Sequence, residues 1–243
     1  MENLVDNIKN DNLLFWLIIG IIFFIILIKL LRHFHNLKLL KSVTSLSRGT
    51  KSERDLILKL LKKGIHEQTV FHDLYIESKH GKSSQIDLVL ATTEGIIVIE
   101  VKDYKGWIYG NANYTHWTKV LAYGKRKYRF YNPIKQNISH ITSLKRELAQ
   151  FEKIPFYSLI VFYGECELKE INYVPKGTFI VKQHRIFEVL KNIKKNNGPA
   201  PYTNKKEIIR VLKHAVKNGE NKINQKKHVE KINDMIGKDR IYD

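Results

Sequence analysis

Three charged residues stand where the interior of a sheet ordinarily tolerates none. Gln85 to Ala91 (QIDLVLA) and Gly95 to Lys102 (GIIVIEVK) are β-branched runs separated by Thr92-Thr93-Glu94, a hairpin-length connection with a turn glycine. Strand side chains alternate faces, so Glu100 and Lys102 share a face with Ile96 and Val98, whereas Ile97, Ile99 and Val101 look the other way. Apolar residues on both faces mark a central strand covered on both sides. Asp87 interrupts the neighbouring run between Ile86 and Leu88. Pairing across the turn brings it within reach of the Glu100–Lys102 end. Two carboxylates on adjacent strands suit a hard divalent cation, Mg²⁺ or Mn²⁺, with a backbone carbonyl (that of Val101) and water completing an octahedron. A lysine two residues beyond one carboxylate adds fixed positive charge, which orients or helps deprotonate an attacking water and stabilises a pentavalent phosphorus. Asp…Glu-x-Lys is thus a minimal phosphodiester-cleaving set. A purely structural Asp–Lys or Glu–Lys pair at a strand end is the alternative. Unpaired charge inside a sheet is costly, which favours the chemical reading.

The elements that must position this set are legible around it. Ser52 is the expected N-cap of a helix carrying Glu53, Leu56, Ile57, Leu60 and Leu61, with Gly64 as its stop. Thr69 to Glu77 reads as a strand, and Phe156 to Tyr163 (FYSLIVFY) as a buried one. Between them a Trp- and Tyr-rich stretch (Trp107, Tyr109, Tyr114, Trp117, Tyr123, Tyr128) reads as short strands or a ribbon. Pro133 opens a helix running to about Phe151, with Ile134, Ile138, Ile141 and Leu144 on one face. Gly177 to Val181 is a further strand, and helices cover about 183–194 and 204–218. The order gives an α/β fold, a mixed central sheet flanked by helices.

QID at 85–87, GIIVIEVKDYKGWIYG at 95–110, Trp117, NPIKQN at 132–137 and His140 together resemble the nuclease-related domain family, NERD. That family belongs to the PD-(D/E)XK nuclease superfamily with its restriction-endonuclease-like core. The resemblance covers roughly residues 49–165. It implies Asp87, Glu100 and Lys102 as the metal-and-lysine centre, Glu53 as an outer acidic member on the first helix, and Gln136 as a polar contributor on the later one. Two positions depart from the family pattern: its usual Gly before the helix Glu is Ser52, and its usual Asn after the strand lysine is Asp103. Asp103 either joins the metal shell or faces solvent, and solvent is the expectation. Gln136 and His140 share a helix face. His140 is expected to pack on the sheet rather than to reach a phosphate. His66, His72, His80, His116 and His184 lack zinc spacing and read as surface or core residues.

Partners follow from charge. The chain has 243 residues, with 42 Lys+Arg against 24 Asp+Glu, a formal net charge of +18. Such an excess points to polyanions, nucleic acid (DNA in the leading reading) or anionic lipid headgroups. Lys125, Arg126, Lys127 and Arg129, interleaved with Tyr128 and Phe130, are the expected phosphate contacts. The pairs Lys194-Lys195, Lys205-Lys206 and Lys226-Lys227 extend that surface or are solvated helix faces. Trp107, Tyr109, Tyr114 and Trp117 either stack on bases or, as such residues more often do, pack the sheet. Cys166 is the one cysteine, which excludes an intrachain disulfide and a Cys-rich zinc site. GxSxG, GxxxxGK[ST] and GxGxxG are all absent.

Leu13 to Ile28 (LLFWLIIGIIFFIILI) carries no charge, and with Lys29-Leu30-Leu31 it reaches the roughly 20 residues that span a bilayer. The leader is acidic and no small-residue cleavage site follows, so an uncleaved anchor over 13–31 is the expectation. Lys29, Arg32, Lys38, Lys41, Arg48 and Lys51 follow the span, against Lys9 before it. Positive-inside then places residues 1–12 outside and the body in the cytoplasm, a single-pass protein of the cell membrane. The expected division is a basic connector over 32–48, a nuclease-like core over 49–165 and a basic extension of the same domain over 166–243. The leading expectation is a membrane-anchored, metal-dependent nuclease of DNA. A non-cleaving nucleic-acid-binding or scaffold module of the same fold is the alternative. The oligomeric state is left open.

Overall fold

A computed structural model of the chain describes residues 2–77, 83–121, 124–151 and 153–219; His80, Tyr123 and Lys226-Lys227 lie outside these. Helix α1 (Glu2–Lys41) is continuous, so the basic connector is helical as far as Lys41. Its Phe15–Lys41 portion is long and apolar enough to cross a membrane, and Phe15 to Leu27 present large apolar side chains outward. The far end docks on the body. Leu40 is buried with Leu56 and Leu60, and Leu39 and Val43 pack beside it.

Helix α2 (Lys51–Lys62) buries Leu56, Ile57, Leu60 and Leu61. Its N-cap is Thr50, not Ser52: Thr50 Oγ1 accepts the Glu53 N–H at 3.2 Å. Ser52 sits inside the first turn, and its hydroxyl donates to the Asp103 carboxylate instead. Gly64, at φ +83°, ends the helix as expected.

Five strands form the main sheet in the order β1 (Val70–Glu77), β2 (Ser83–Ala91), β3 (Ile96–Asp103), β7 (Phe156–Tyr163), β9 (Thr178–Lys182). β1, β2 and β3 are antiparallel neighbours, while β3, β7 and β9 run parallel. One face is covered by α2 and α4 (Ile186–Asn196), through Leu56, Leu60, Ile97, Ile99, Val161 and Val189. The other is covered by α3 (Pro133–Glu147) and α5 (Lys205–Asn218), through Ile96, Val98, Leu144, Ile208 and Leu212.

The aromatic stretch becomes a second sheet, ordered β6 (Arg126–Tyr131), β5 (His116–Leu121), β4 (Gly106–Asn111), β8 (Cys166–Asn172). β8 (CELKEIN) has no apolar alternation and goes unread in the sequence; pairing parallel with β4 makes it a strand. Trp117 is the keystone of this layer. It is buried, parallel to Phe162 of the main sheet at 6.4 Å, and its indole N–H donates to the Asn111 carbonyl. Base stacking is therefore closed to Trp117.

Candidate active site

The site forms where β2 leaves β3. Their ladder ends at Leu88↔Ile99, after which β2 stays with β1 while β3 follows β7 to Asp103↔Tyr163. Asp87 and Glu100 are the next residues on either side of that fork. Asp87 Oδ2 accepts the backbone N–H of Val101 at 2.8 Å, so its carboxylate takes a donor that the departing strand no longer satisfies.

The alternation of β1 and β2 also breaks at this rung. Leu88 and Leu90 pack toward α2, yet Ile86 packs toward α3 with Val89. On β1, Val70 lies on the α2 side, whereas both Phe71 and Leu74 lie on the α3 side. Asp73 sits between His72 and Leu74 at φ +56°, and this left-handed residue shifts the phase of its strand. Arg48 holds it there, Nε to Oδ2 at 2.9 Å, and Gln85 Nε2 donates to Oδ1 at 2.6 Å.

Glu100 is buried between the Lys102 ammonium and the His140 imidazole. Lys102 Nζ lies 2.7 Å from its Oε1, and His140 Nε2 lies 3.3 Å from its Oε2. Lys102 Nζ also donates to Gln136 Oε1 at 3.0 Å. The helix residues arrive here because Asn132, fully buried, caps α3 by accepting the Ile134 N–H and donates to the carbonyls of Ala112 and Tyr114. Asn137 then ties α3 to β3 and β7, at the Val98 carbonyl and the Ser158 hydroxyl. His140 packs on the sheet as expected, but it packs against the Glu100 carboxylate, with its Nδ1 held 2.7 Å from the Ser84 hydroxyl.

Glu53 approaches from the α2 side in a second, linked cluster. Its Oε2 is 3.0 Å from His72 Nε2, its Oε1 accepts from Thr50 at 2.7 Å, and His72 Nδ1 meets Thr44 Oγ1 at 2.7 Å. Sequence reasoning missed His72 and Thr44, because a histidine on β1 and a threonine near the end of α1 carry no spacing signal. Gly49 is obligatory beside them. At φ +63°, a Cβ there falls 2.4 Å from both Glu53 Oε2 and His72 Nε2. The two departures from the family pattern, Ser52 and Asp103, hydrogen-bond each other, and Asp103 is otherwise exposed as expected.

Electrostatics separates the carboxylates. Burial, then repulsion from Glu100 and Glu53, pushes the Asp87 pKa well up. Glu100 suffers burial too, but Lys102 and His140 outweigh it and bring its pKa down. Burial works against charge on Lys102, yet Glu100 and then Tyr104 and Asp87 raise its pKa, so it stays cationic. Glu53 is lowered: against burial stand the hydrogen bonds from His72 and Thr50.

These residues fit a hard cation. Glu100 Oε2 is buried and makes no well-aligned hydrogen bond, its contact being His140 Nε2 at 3.3 Å, and the carboxylates repel one another. The Val101 carbonyl leaves β3 on the same edge as the N–H that Asp87 accepts. Among the described residues no three His, Cys, Asp or Glu side chains cluster as a metal site, so water and substrate oxygens would complete the shell. Of the four cations expected to touch phosphate, Lys125, Arg126, Lys127 and Arg129 are all exposed on or beside β6, an edge strand of the second sheet. A cavity of about 540 Å³ between β8, β9 and α4 shares no lining residue with the site.

Residues 48–163 match the family model of the nuclease-related domain, NERD. An uncharacterized protein of Bacillus anthracis is 30% identical over 133 residues, which are 55% of this chain and 59% of that protein. The chain thus spans less than two thirds of the relative it matches. No solved structure matches.

Proposed function

We propose, from the match of residues 48–163 to the nuclease-related domain family, that the chain is a member of that family and hydrolyses phosphodiester bonds of DNA with Mg²⁺ or Mn²⁺ while anchored in the cell membrane. The observation that supports this most is the fork, where Asp87, Glu100 and Lys102 converge from two diverging strands with Gln136 and His140 behind them. Asp87, Glu100 and the Val101 carbonyl would hold the ion. When bound, a divalent ion there polarises the phosphoryl oxygen and acidifies the attacking water. Lys102, kept cationic by Glu100, donates to that water or to a phosphoryl oxygen as charge builds on phosphorus. Gln136 fixes the ammonium through a hydrogen bond, and Glu53 adds negative potential from the α2 side. α1 tethers the domain at residues 13–31, with the basic residues after the span keeping the body in the cytoplasm against anionic headgroups.

A second reading is a domain that holds nucleic acid without cutting it. It is favoured by the engagement of Glu100 with Lys102 and His140, which already balances that carboxylate.

The deciding experiment uses the full chain in detergent micelles, because Leu40 and Thr44 belong to the folded body. Labelled linear and circular DNA are incubated with Mg²⁺, Mn²⁺ or EDTA, alongside Asp87→Ala and Lys102→Ala. Metal-dependent cutting by the wild type, lost in both variants, is expected. Salt-sensitive binding without cutting in all three proteins selects the second reading.

A further inference from the structure

The second sheet carries cations on two faces. Trp117, Ile108 and Phe130 point inward and are buried against Ile160 and Phe162 of the main sheet. Alternation then sends Lys127 and Arg129 of β6 to the outer face, away from that interlayer. Lys119 of β5 is different. It lies two residues from Trp117, opposite Ile108 on one side and Tyr128 on the other, and so shares the inward face.

There it is held by aromatic rings. Lys119 Nζ lies 4.7 Å from the centre of the Tyr104 ring and 5.3 Å from that of Tyr128. Tyr104 leads directly to the site. It follows Lys102 by two residues, acts electrostatically on the Lys102 ammonium, and packs on Phe130 at 4.9 Å and Phe162 at 6.4 Å. Phe162 is the residue paired with Lys102 across β3 and β7. Lys119 is half-buried, and that burial pushes its pKa down. Among the described residues no carboxylate acts on it; burial alone accounts for its shift.

A half-buried ammonium without a counter-ion is costly, and the ring faces offset part of that cost. An ammonium placed in this way is matched by an anionic oxygen. We infer that Lys119, held between Tyr104 and Tyr128, binds a phosphodiester group of the nucleic-acid strand adjacent to the one engaged by Lys102. This rests on the nuclease reading and adds a residue that fixes the strand rather than cuts it. It also divides the cations of the second sheet: Lys119 sits on the face toward the site, and Lys127 and Arg129 on the face away from it.

The test is fluorescence anisotropy of labelled single-stranded and duplex oligonucleotides, with the full chain in micelles and EDTA to suppress cutting. Lys119→Met is expected to weaken binding roughly ten-fold and to reduce the slope of log affinity against log salt by about one. Lys119→Arg restores both. In Mg²⁺, Lys119→Met raises KM more than it lowers kcat. Thermal melts run in parallel show whether the fold is intact, and Lys119→Gln replaces the Met variant if that one unfolds. Wild-type affinity and salt slope in Lys119→Met, with cleavage persisting, overturn the assignment and leave the nuclease reading standing. A wild type that neither binds nor cuts overturns both.

Discussion

Burial and two neighbouring carboxylates raise the Asp87 pKa, which makes this residue a source of instability when it is charged. An unfolded chain releases the proton near pH 3.9, about the ordinary Asp value. The native state keeps it to higher pH. Between those two values the native state holds the extra proton, so stability falls as pH rises through the window and stays reduced above it. Asp87→Asn removes the charge and keeps an oxygen for the Val101 N–H. We expect it to raise the Tm of the metal-free protein at pH 7, with the gain disappearing near pH 4. Mg²⁺ should raise the Tm of the wild type only. Melting curves in EDTA and Mg²⁺ across that range check this, and a lower Tm for Asp87→Asn at pH 7 contradicts it. Gly49 makes a second prediction. Alanine there takes a left-handed conformation costing about 1–2 kcal/mol, and its Cβ strikes the Glu53–His72 pair. Denaturant unfolding of Gly49→Ala should show at least that loss, with reduced cleavage beside it.

The elements are joined to the site by a few polar links, and these can be measured singly. Ser52 on α2 donates to Asp103 at the end of β3, so the start of the helix is tied to the strand that carries Glu100 and Lys102. A double-mutant cycle with Ser52→Gly and Asp103→Asn is expected to give a coupling of about 1 kcal/mol in unfolding free energy. A coupling of zero means that the two departures from the family pattern are independent. Asn132 joins the second sheet to α3, because it both caps the helix and satisfies carbonyls in the turn between β4 and β5. Asn132→Ala should cost about 2 kcal/mol or more, since a cap is lost and buried carbonyls are left unpaired. Chemical denaturation reads the loss directly.

At the scale of the whole molecule, α1 is both long and apolar enough to cross a membrane and, at its far end, part of the body. Its outward Phe, Ile and Leu side chains suit a bilayer, while Leu40 enters the core and Thr44 reaches His72 beside Glu53. The full chain is expected in the alkaline-carbonate-resistant membrane pellet, and deletion of residues 13–31 should release it to the supernatant. A chain truncated before residue 46 should melt below the full chain in micelles, because it lacks Leu40 and Thr44. Recovery of full-length protein in the carbonate supernatant would dismiss the anchor.

The Asp87, Glu100 and Lys102 set was legible in the sequence because charge inside apolar β-branched runs is expensive, and its cost marks it. The strands carrying it were legible for the same reason, as was the apolar N-terminal helix, which composition alone marks. β8 was not, since CELKEIN has no period and becomes a strand only by pairing with β4. Nor was the N-cap at Thr50, because Thr50 and Ser52 are chemically equivalent caps until tertiary contact with Asp103 claims the second. His72 and Lys119 stayed hidden, and His140 was legible as a sheet-packing residue but not as the partner of Glu100, because each owes its place to residues distant in sequence: Glu53 and Thr44, Tyr104 and Tyr128, Glu100 and Ser84. Local sequence determines which residues are costly to bury. Only the packing of the sheets and helices decides which neighbours compensate that cost, because those neighbours meet through space and leave no spacing along the chain.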